Sequence, residues 1–229
     1  KKQIKNVGKG IVNCEISFRR ERYESNGDGE LLKSQRRFFK SGATLSVDFR
    51  IRMLKRLRAV VLRHEGEILR ALREDLGKSG FEAYMCEIGM LLHELSYMLN
   101  HVEKFAKPHR VKTPIAQFPA ISYTKPSPYG TTLIMSPWNY PFLLTMGPLA
   151  DAIAAGNTAI VKPSAYAPAT GEVVKKIIEE AFPGKYIAVV LGGREENRHL
   201  LGMKFDFIFF TGSQAVGKEV LRAAADHLT

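Results

Sequence analysis

Cysteine is scarce in this sequence of 229 residues, and that scarcity excludes several kinds of protein. The two cysteines, Cys14 and Cys86, are too few for a disulfide framework, and neither lies in a C-x-x-C or Cys/His cluster with the spacing of metal ligands. The six histidines form no H-x-x-x-H pair, which would place two imidazoles on one face of a helix. We therefore expect a reducing compartment and no structural or catalytic metal.

Long apolar runs are also missing. No segment reaches the roughly 18 consecutive apolar residues that a membrane-spanning helix needs. The amino-terminal residues contain no apolar run like that of a secretory signal. These absences predict a cytoplasmic protein with no integral membrane segment.

Acidic residues are the minority charge, since 34 lysines and arginines stand against 23 aspartates and glutamates, for a net charge of +11. A basic excess of this size occurs in proteins that bind nucleic acid. Here much of the excess is concentrated in residues 1–40 and 50–73, and no recognition motif accompanies it. We therefore interpret it as a solvated basic surface and expect no nucleic-acid partner.

The hydrophobic content of 45% is, by contrast, ample for a folded core. Residues 1–29 predict a weakly ordered basic leader that ends in a turn-forming stretch at 25–29. Residues 30–108 predict helices, one with Ser46 as its N-cap and another with an apolar stripe from Phe81 to Phe105. Residues 109–129 are rich in proline and predict an extended linker or an edge hairpin.

From residue 130 to residue 229, short β-branched runs alternate with helical segments. The runs at 132–135, 158–161, 187–191 and 207–210 predict four strands, with helices between them and after the last. This order predicts an α/β fold, with a Rossmann-like, parallel, doubly wound sheet preceded by the N-terminal helical region. Because ligands bind at the carboxyl ends of such strands, the loops that follow them form the candidate site.

Three of these loops carry groups suited to a ligand. They read S-P-W-N-Y-P at 136–141, K-P-S at 162–164 and T-G-S at 211–213. The third leads from a strand through Gly212 and Ser213 directly into a helix, where unpaired amides and the helix dipole favour a phosphate group. Its spacing is not G-x-G-x-x-G, so by itself this turn is weak evidence.

Two side chains in these loops each have a structural and a functional interpretation. Lys162 either is a solvated lysine at a strand end or reaches the hydroxyls, or an extra phosphate, of a ribose. Asn139 either caps the helix predicted to begin at Pro141 or points into the crevice, where its amide would donate to an oxyanion. Position alone leaves both alternatives open.

The three loops, together with A-A-G-N at 154–157 and Gly217, resemble the motifs of the aldehyde dehydrogenase superfamily in order and spacing. The similarity runs from about residue 31 to residue 229 and is greatest to the fatty-aldehyde, class 3-like branch. It implies a domain that binds NAD or NADP, with Asn139 as the catalytic oxyanion donor. The cofactor-binding residues that it implies are Lys162 at the adenosine ribose, Ser213 near the pyrophosphate, Trp138 beside the nicotinamide, and Ser136, Ser164, Gly212 and Gly217.

The resemblance also implies a mechanism for which this chain lacks two groups. In the family, a cysteine thiolate attacks the aldehyde, hydride passes to the nicotinamide, and a glutamate helps water to release the acid. The glutamate belongs to an E-L-G-G-K segment that follows a stretch like residues 223–229, the cysteine comes later, and neither Cys14 nor Cys86 lies in a matching motif. We expect a truncated, inactive cofactor-binding part of an enzyme that oxidises a small-molecule aldehyde to a carboxylic acid.

A further departure concerns the ribose. Many family members follow Lys-Pro-Ser with a glutamate, and this sequence has Ala165. The missing carboxylate would weaken adenosine binding and remove repulsion toward a 2′-phosphate, so we predict that NADP is tolerated as well as NAD. The alternative function is a non-catalytic dinucleotide-binding or interaction protein that associates with a full-length homologue. A homo-oligomer is compatible with the family, and the oligomeric state stays open.

Overall fold

A computed structural model describes residues 26–229 of the chain. Within that range, a helical half comes first and is followed by an α/β half in which strands and helices alternate. The helices are α1 (Asn26–Lys40), α2 (Val47–Arg63), α3 (Glu65–Leu76), α4 (Gly80–Ala83), α5 (Gly89–Phe105), α6 (Leu143–Ala155), α7 (Pro168–Ala181), α8 (Arg194–Leu201) and α9 (Gln214–Ala225). The strands are β1 (His109–Val111), β2 (Ser122–Thr124), β3 (Thr131–Met135), β4 (Thr158–Lys162), β5 (Ile187–Val189) and β6 (Phe207–Phe210).

The main sheet has four parallel strands in the order β5-β4-β3-β6. Every residue of β3 and β4 is buried, as expected for central strands covered on both faces. The chain leaves β3 toward β4 and β5 on one side, and then returns to place β6 on the other side of β3. The predicted α/β, Rossmann-like sheet is confirmed, and this reversal of direction beside β3 opens a crevice at the strand ends.

The two faces of the sheet support two hydrophobic cores. Ile134 and Val161 point into the core shared with α2, α3, α5, α6 and α7. Their strand neighbours Leu133 and Ile160 point into the opposite core, which contains residues of α1, α8 and α9. The alternation follows from the two-residue period of a strand. Because both faces are covered, even the polar residues of these strands are buried, namely Thr131, Thr132, Thr158 and Lys162.

The N-terminal helices cover the sheet instead of standing apart from it. Helices α2, α3 and α5 pack on α6 and α7, whereas α1 lies on the other face, against β3 and β4. The buried amide of Gln35 fixes α1 there by donating to the carbonyl oxygens of Ala159 at 2.9 Å and Gly184 at 3.0 Å. The predicted N-cap Ser46 is confirmed, since its hydroxyl accepts from the amide of Phe49 at 3.3 Å.

Two local predictions about the helical half were wrong, the turn at 25–29 and the single apolar stripe from Phe81 to Phe105. The turn expected at 25–29 is helical from Asn26 onward, and most of the predicted leader, residues 1–25, lies outside the described residues. Glycine disfavours helix locally, but Asp28 lies in the first turn, where the helix dipole favours an acidic residue. Packing of Leu32 into the core beneath α1 then outweighs the local glycine preference.

The apolar stripe from Phe81 to Phe105 is only partly buried. Leu91 and Leu95 are fully buried, but Phe81 and Phe105 are 78% and 45% exposed. A π-helical segment, Tyr84–Ile88, precedes α5 and changes the residues per turn, so the helix does not keep a single face along its length.

The proline-rich stretch forms a separate antiparallel hairpin of β1 and β2. Of the two predicted alternatives, an extended linker or a hairpin, the structure has the hairpin. Its strands are short and largely exposed. None of the helices between residues 26 and 229 has the length and hydropathy required to cross a bilayer.

Candidate functional site

The carboxyl ends of three strands lie level with one another. Met135, the last residue of β3, pairs with Lys162 at the end of β4 and with Phe210 at the end of β6. The amide of Thr211 donates to the carbonyl of Met135 at 3.1 Å, and the amide of Ser136 donates to that of Lys162 at 3.3 Å. The three loops of interest therefore leave the sheet at the same height.

These loops and the start of α8 enclose a cleft of about 690 Å³. All but one of the predicted site residues line it, and Gly217 is the exception. The residues of the three loops on its wall are Ser136, Pro137, Trp138, Asn139, Lys162, Pro163, Ser164, Thr211, Gly212 and Ser213, and the added ones are Met135, Ala165, Tyr166, Gly193, Arg194, Asn197, Phe210 and Val216.

Lys162 is a buried cation at the base of this cleft. It is 3% exposed, and its Nζ donates to the carbonyl oxygens of Gly192 at 2.6 Å and Pro163 at 3.0 Å. Burial lowers the pKa of the ammonium group to about 8, against a smaller opposing effect of Glu196. The solvated-lysine interpretation is therefore wrong, because the amine is desolvated and its two protein acceptors are neutral.

The loop that carries Asn139 approaches the cleft with an exposed amide side chain. Helix α6 begins at Leu143, two residues later than predicted, and the residue at its N-cap is Phe142. Asn139 is consequently too far from the helix start to cap it, and that interpretation is wrong. Its backbone carbonyl instead accepts from Nζ of Lys78 at 3.1 Å.

Glu87 performs the capping that was expected of Asn139. Its Oε2 accepts from the amides of Phe142 at 2.8 Å and Leu143 at 3.1 Å, and its Oε1 accepts from Lys78 at 2.5 Å. Lys78 also lies 4.1 Å from the centre of the Tyr140 ring. This pair was not predicted from the sequence, because a charged residue directly before Ile88 gives no indication of its partner.

The hydroxyl of Ser136 is directed toward α6. Thr145 donates to the carbonyl of Pro141, so in the 2.5 Å contact between Ser136 and Thr145 the hydroxyl of Ser136 is the donor. Ser136 can therefore offer a ligand the lone pairs of its oxygen, while its proton stays with Thr145.

The turn 211–213 leads into α9 as predicted. Ser213 is the N-cap of α9, and its hydroxyl accepts from the amide of Val216 at 3.4 Å, which leaves its proton available for a ligand. A Cβ at Gly212 would lie 2.6 Å from the ring of Phe210, and one at Gly217 would lie 3.5 Å from the same ring. The two glycines therefore make room for Phe210, and only Gly212 reaches the cleft wall.

The comparisons with known proteins agree with this arrangement. A sequence model of the aldehyde dehydrogenase family matches residues 29–229. The 4,4'-diaponeurosporen-aldehyde dehydrogenase of Staphylococcus aureus is 46% identical over 191 residues, which cover 83% of this chain and 42% of that protein. Aldehyde dehydrogenase family 3 member H1 of Arabidopsis thaliana is 38% identical over 199 residues, or 87% of this chain and 41% of that protein.

A solved structure, the substrate-bound state of Staphylococcus aureus AldH, matches with a TM-score of 0.87 and 43% identity, and covers 88% of this chain and 44% of that one. The chain thus spans less than half the length of these relatives. The predicted resemblance is confirmed over almost all of the described residues. By sequence and by fold, this chain belongs to the aldehyde dehydrogenase family.

Proposed function

We propose that this chain is the nicotinamide-dinucleotide-binding part of an enzyme that oxidises an aldehyde to a carboxylic acid. The observation that carries the proposal is the convergence of the loops after β3, β4 and β6 on one cleft at the reversal point of a parallel sheet. A structural neighbour at a TM-score of 0.79 and 25% identity, a betaine aldehyde dehydrogenase from Staphylococcus aureus, is in complex with NAD+.

The cleft residues fit such a cofactor. The ammonium of Lys162 retains an N–H for a ribose oxygen, because two of its three hydrogens are used by carbonyl groups. The N-terminus of α9, with the hydroxyl proton of Ser213, suits a pyrophosphate. Trp138, at 54% exposure, offers an aromatic face to the nicotinamide, which when bound accepts a hydride from the substrate.

Asn139 supplies the catalytic group of this chain in the proposal. Its amide would donate to the oxygen of the aldehyde as that oxygen gains negative charge. Lys78 and Glu87 act through it as positioning residues, because they hold the backbone on either side of residues 140–141. An amide has no ionisable proton near neutral pH, so this donation is independent of pH.

We propose that the chain alone binds the cofactor without turning over an aldehyde. In the part of the chain that the structure describes, neither a cysteine nor a carboxylate lines the cleft. Cys86 lies in the π-helical segment, half-buried and away from the cleft wall. Among residues 26–229, the nucleophile and the water-activating base of the family's reaction thus have no counterpart at this site.

The test uses the fact that Trp138 is the only tryptophan of the chain. Reduced NAD or NADP bound beside it should quench its emission by energy transfer, in a saturable titration. Lys162→Gln should weaken binding, whereas Lys218→Gln, on the exposed surface of α9, should leave it unchanged. If millimolar dinucleotide neither quenches Trp138 nor releases heat in calorimetry, the proposal is wrong.

The second candidate is a non-catalytic protein that associates with a full-length homologue. The exposed apolar side chains of the β1–β2 hairpin favour it, since Ile115 and Phe118 are 93% and 84% exposed. Sedimentation of an equimolar mixture with a full-length family member would show a joint species if this is correct. Ile115→Ser with Phe118→Ser should abolish that species, and separate sedimentation of the unaltered proteins would exclude this candidate.

A further inference from the structure

A second cavity lies at the opposite edge of the sheet from the dinucleotide cleft. The cleft opens where β3 and β4 end, whereas this cavity lies beside the last turn of α6, just before β4 begins. Its volume is about 260 Å³, and it has no wall residue in common with the cleft. Pockets for drug-sized molecules begin at roughly 300 Å³, so this cavity suits a smaller ligand.

Arg50 is a buried cation on the wall of this cavity. It is 8% exposed, and its guanidinium donates to the carbonyl oxygens of Thr44 at 2.8 Å, Leu45 at 3.2 Å and Ala154 at 3.2 Å. A guanidinium has five N–H groups. Three of them are used by these neutral acceptors, and two remain for a ligand.

The positive charge of Arg50 has no anionic partner among residues 26–229. Burial lowers the pKa of its guanidinium, and the opposing effect comes from Tyr186. Burial also raises the pKa of that phenol, so Tyr186 is uncharged at neutral pH. A desolvated charge is costly unless it is paired, and the two remaining N–H groups therefore favour a carboxylate.

Asp151 brings the opposite charge to the same cavity. It lies on α6 about one turn, or roughly 5 Å, before Ala154, whose carbonyl group accepts from Arg50. Although part of the residue is exposed, desolvation of its carboxyl group and the nearby carboxylate of Glu94 raise its pKa to about 6. Within the described chain, neither carboxylate forms an ion pair with a basic side chain. Asp151 therefore favours a cationic group and disfavours a ligand that is only an anion.

The wall between and around these charges is mostly apolar. Met98 and Phe105 come from α5, Pro126 from the segment after β2, and Ala155 from the end of α6. A mainly apolar lining with a few polar groups that fix orientation is the usual composition of a small-molecule site. These side chains favour a hydrocarbon group on the ligand.

We propose that this cavity binds an apolar α-amino acid, with its carboxylate on Arg50, its ammonium group on Asp151 and its side chain against Met98 and Phe105. The two charged groups of an α-amino acid are attached to one carbon atom, so they can meet both protein charges at once. A fatty acid or the carboxyl terminus of a peptide would satisfy Arg50 alone. The inference goes beyond the proposed function, because this site lies apart from the dinucleotide cleft.

The test is calorimetric titration of the full 229-residue chain near neutral pH, above the pKa of Asp151. The ligands are L-leucine, L-phenylalanine, 4-methylpentanoate, which is leucine without its ammonium group, and leucinamide, which lacks the carboxylate. Both amino acids should bind, and leucine should bind about 10- to 100-fold more tightly than either analogue, the range expected for one charge-assisted hydrogen bond. No binding of either amino acid at millimolar concentration, or equal binding of leucine and one analogue, would overturn the proposal.

Variants assign the binding to this cavity. Ala155→Leu should abolish it by filling the cavity from an exposed position at the end of α6. Asp151→Asn should weaken the binding of leucine about tenfold without weakening that of 4-methylpentanoate, a split that a merely structural role would not produce. Glu103→Gln removes an exposed carboxylate of α5 outside the cavity wall and should change neither. An Asp151→Asn variant that binds leucine like the unaltered chain would contradict the role given to Asp151.

Two further measurements separate this site from folding and from the proposed function. Unchanged urea midpoints of Ala155→Leu and Asp151→Asn would show that a loss of binding is not a loss of structure. Neither residue lines the dinucleotide cleft, so quenching of Trp138 emission by a dinucleotide should be the same in both variants. Binding of leucine without any such quenching would support this site while the proposed function is wrong, and the reverse result would overturn this site alone.

Discussion

The Nζ of Lys78 lies 2.5 Å from Oε1 of Glu87, in an ion pair whose side chains are 8% and 0% exposed. The pair joins the segment before α4 to the start of α6, because Glu87 also caps Phe142 and Leu143. Two desolvated charges are costly unless each is paired and hydrogen-bonded, and here both conditions hold. The loop that carries Asn139 is thereby fixed from beneath by groups that never reach the cleft.

Glu87→Gln should be strongly destabilising. It leaves the buried ammonium of Lys78 without a counter-charge, a change that typically costs about 3–5 kcal/mol. The free energy of unfolding from urea denaturation measures this cost. Glu30→Gln is the matched control, since Glu30 contacts Lys33 at 2.7 Å in an exposed pair, and it should be neutral. A loss below about 1 kcal/mol for Glu87→Gln would show that the buried pair is not needed.

Acid should weaken the contact between the N-terminal helices and α7. His64 and Arg63 lower the pKa of Glu180 from 4.5 to about 2, and Lys176 and His64 lower that of Glu67. Because both folded-state pKa values lie below the unfolded ones, their stabilisation is present above about pH 4.5 and is lost as the pH falls toward 2. Urea midpoints measured from pH 5 to pH 2 should therefore decline.

Glu180→Gln should decline less over the same pH range, while Glu179→Gln, its exposed neighbour, should follow the unaltered chain. Parallel curves for the unaltered chain and Glu180→Gln would show that Glu180 does not contribute to the acid sensitivity.

Binding of the dinucleotide should weaken in alkali. The pKa of Lys162 is about 8 in the free chain, because burial disfavours its charge, so the ammonium loses its proton above that pH. An anionic ligand favours the charged amine, and its affinity should be level below pH 7.5 and fall by at most about tenfold per pH unit above 8. Titrations that follow the quenching of Trp138 emission, repeated from pH 6.5 to pH 9.5, measure this affinity. Lys162→Gln should bind more weakly with no such fall, and the same fall in that variant would assign it to another group.

The alternating pattern after residue 130 was enough to predict the sheet, because the central parallel strands form short, mainly apolar runs and their connecting helices are bounded by Gly156 and Pro168. The start at Asn26 and the exposure of Phe81 were not predictable from local preference. The first depends on the core beneath Leu32, and the second on a π-helical segment that shifts the apolar face.

The candidate site was predictable where one loop supplies one group. The loops of Asn139, Lys162 and Ser213 were identified because they follow strands, and the structure brings them to one cleft. Glu87 was missed because it acts through contacts with the amides of Phe142 and Leu143, which are distant in the chain, and such contacts leave no periodic or motif signal in a single sequence.

Gly156→Ala should destabilise the junction between α6 and β4. Gly156 ends α6 with a φ of +91°, and a Cβ there would lie 2.7 Å from the guanidinium of Arg50. Arg50 is buried and donates to the carbonyls of Thr44 at 2.8 Å and Ala154 at 3.2 Å, so it cannot withdraw without losing these bonds. The strained backbone alone costs about 1–3 kcal/mol, and displacement of Arg50 adds to that.

Gly147→Ala is the matched control within the same helix. A Cβ at Gly147 meets no atom within 4 Å, and alanine is the better helix former, so this change should be neutral or stabilising by up to about 1 kcal/mol. Urea denaturation of both variants separates the effect of added volume from that of backbone conformation. If Gly156→Ala were as stable as Gly147→Ala, the left-handed end of α6 and the position of Arg50 would not be required by the fold.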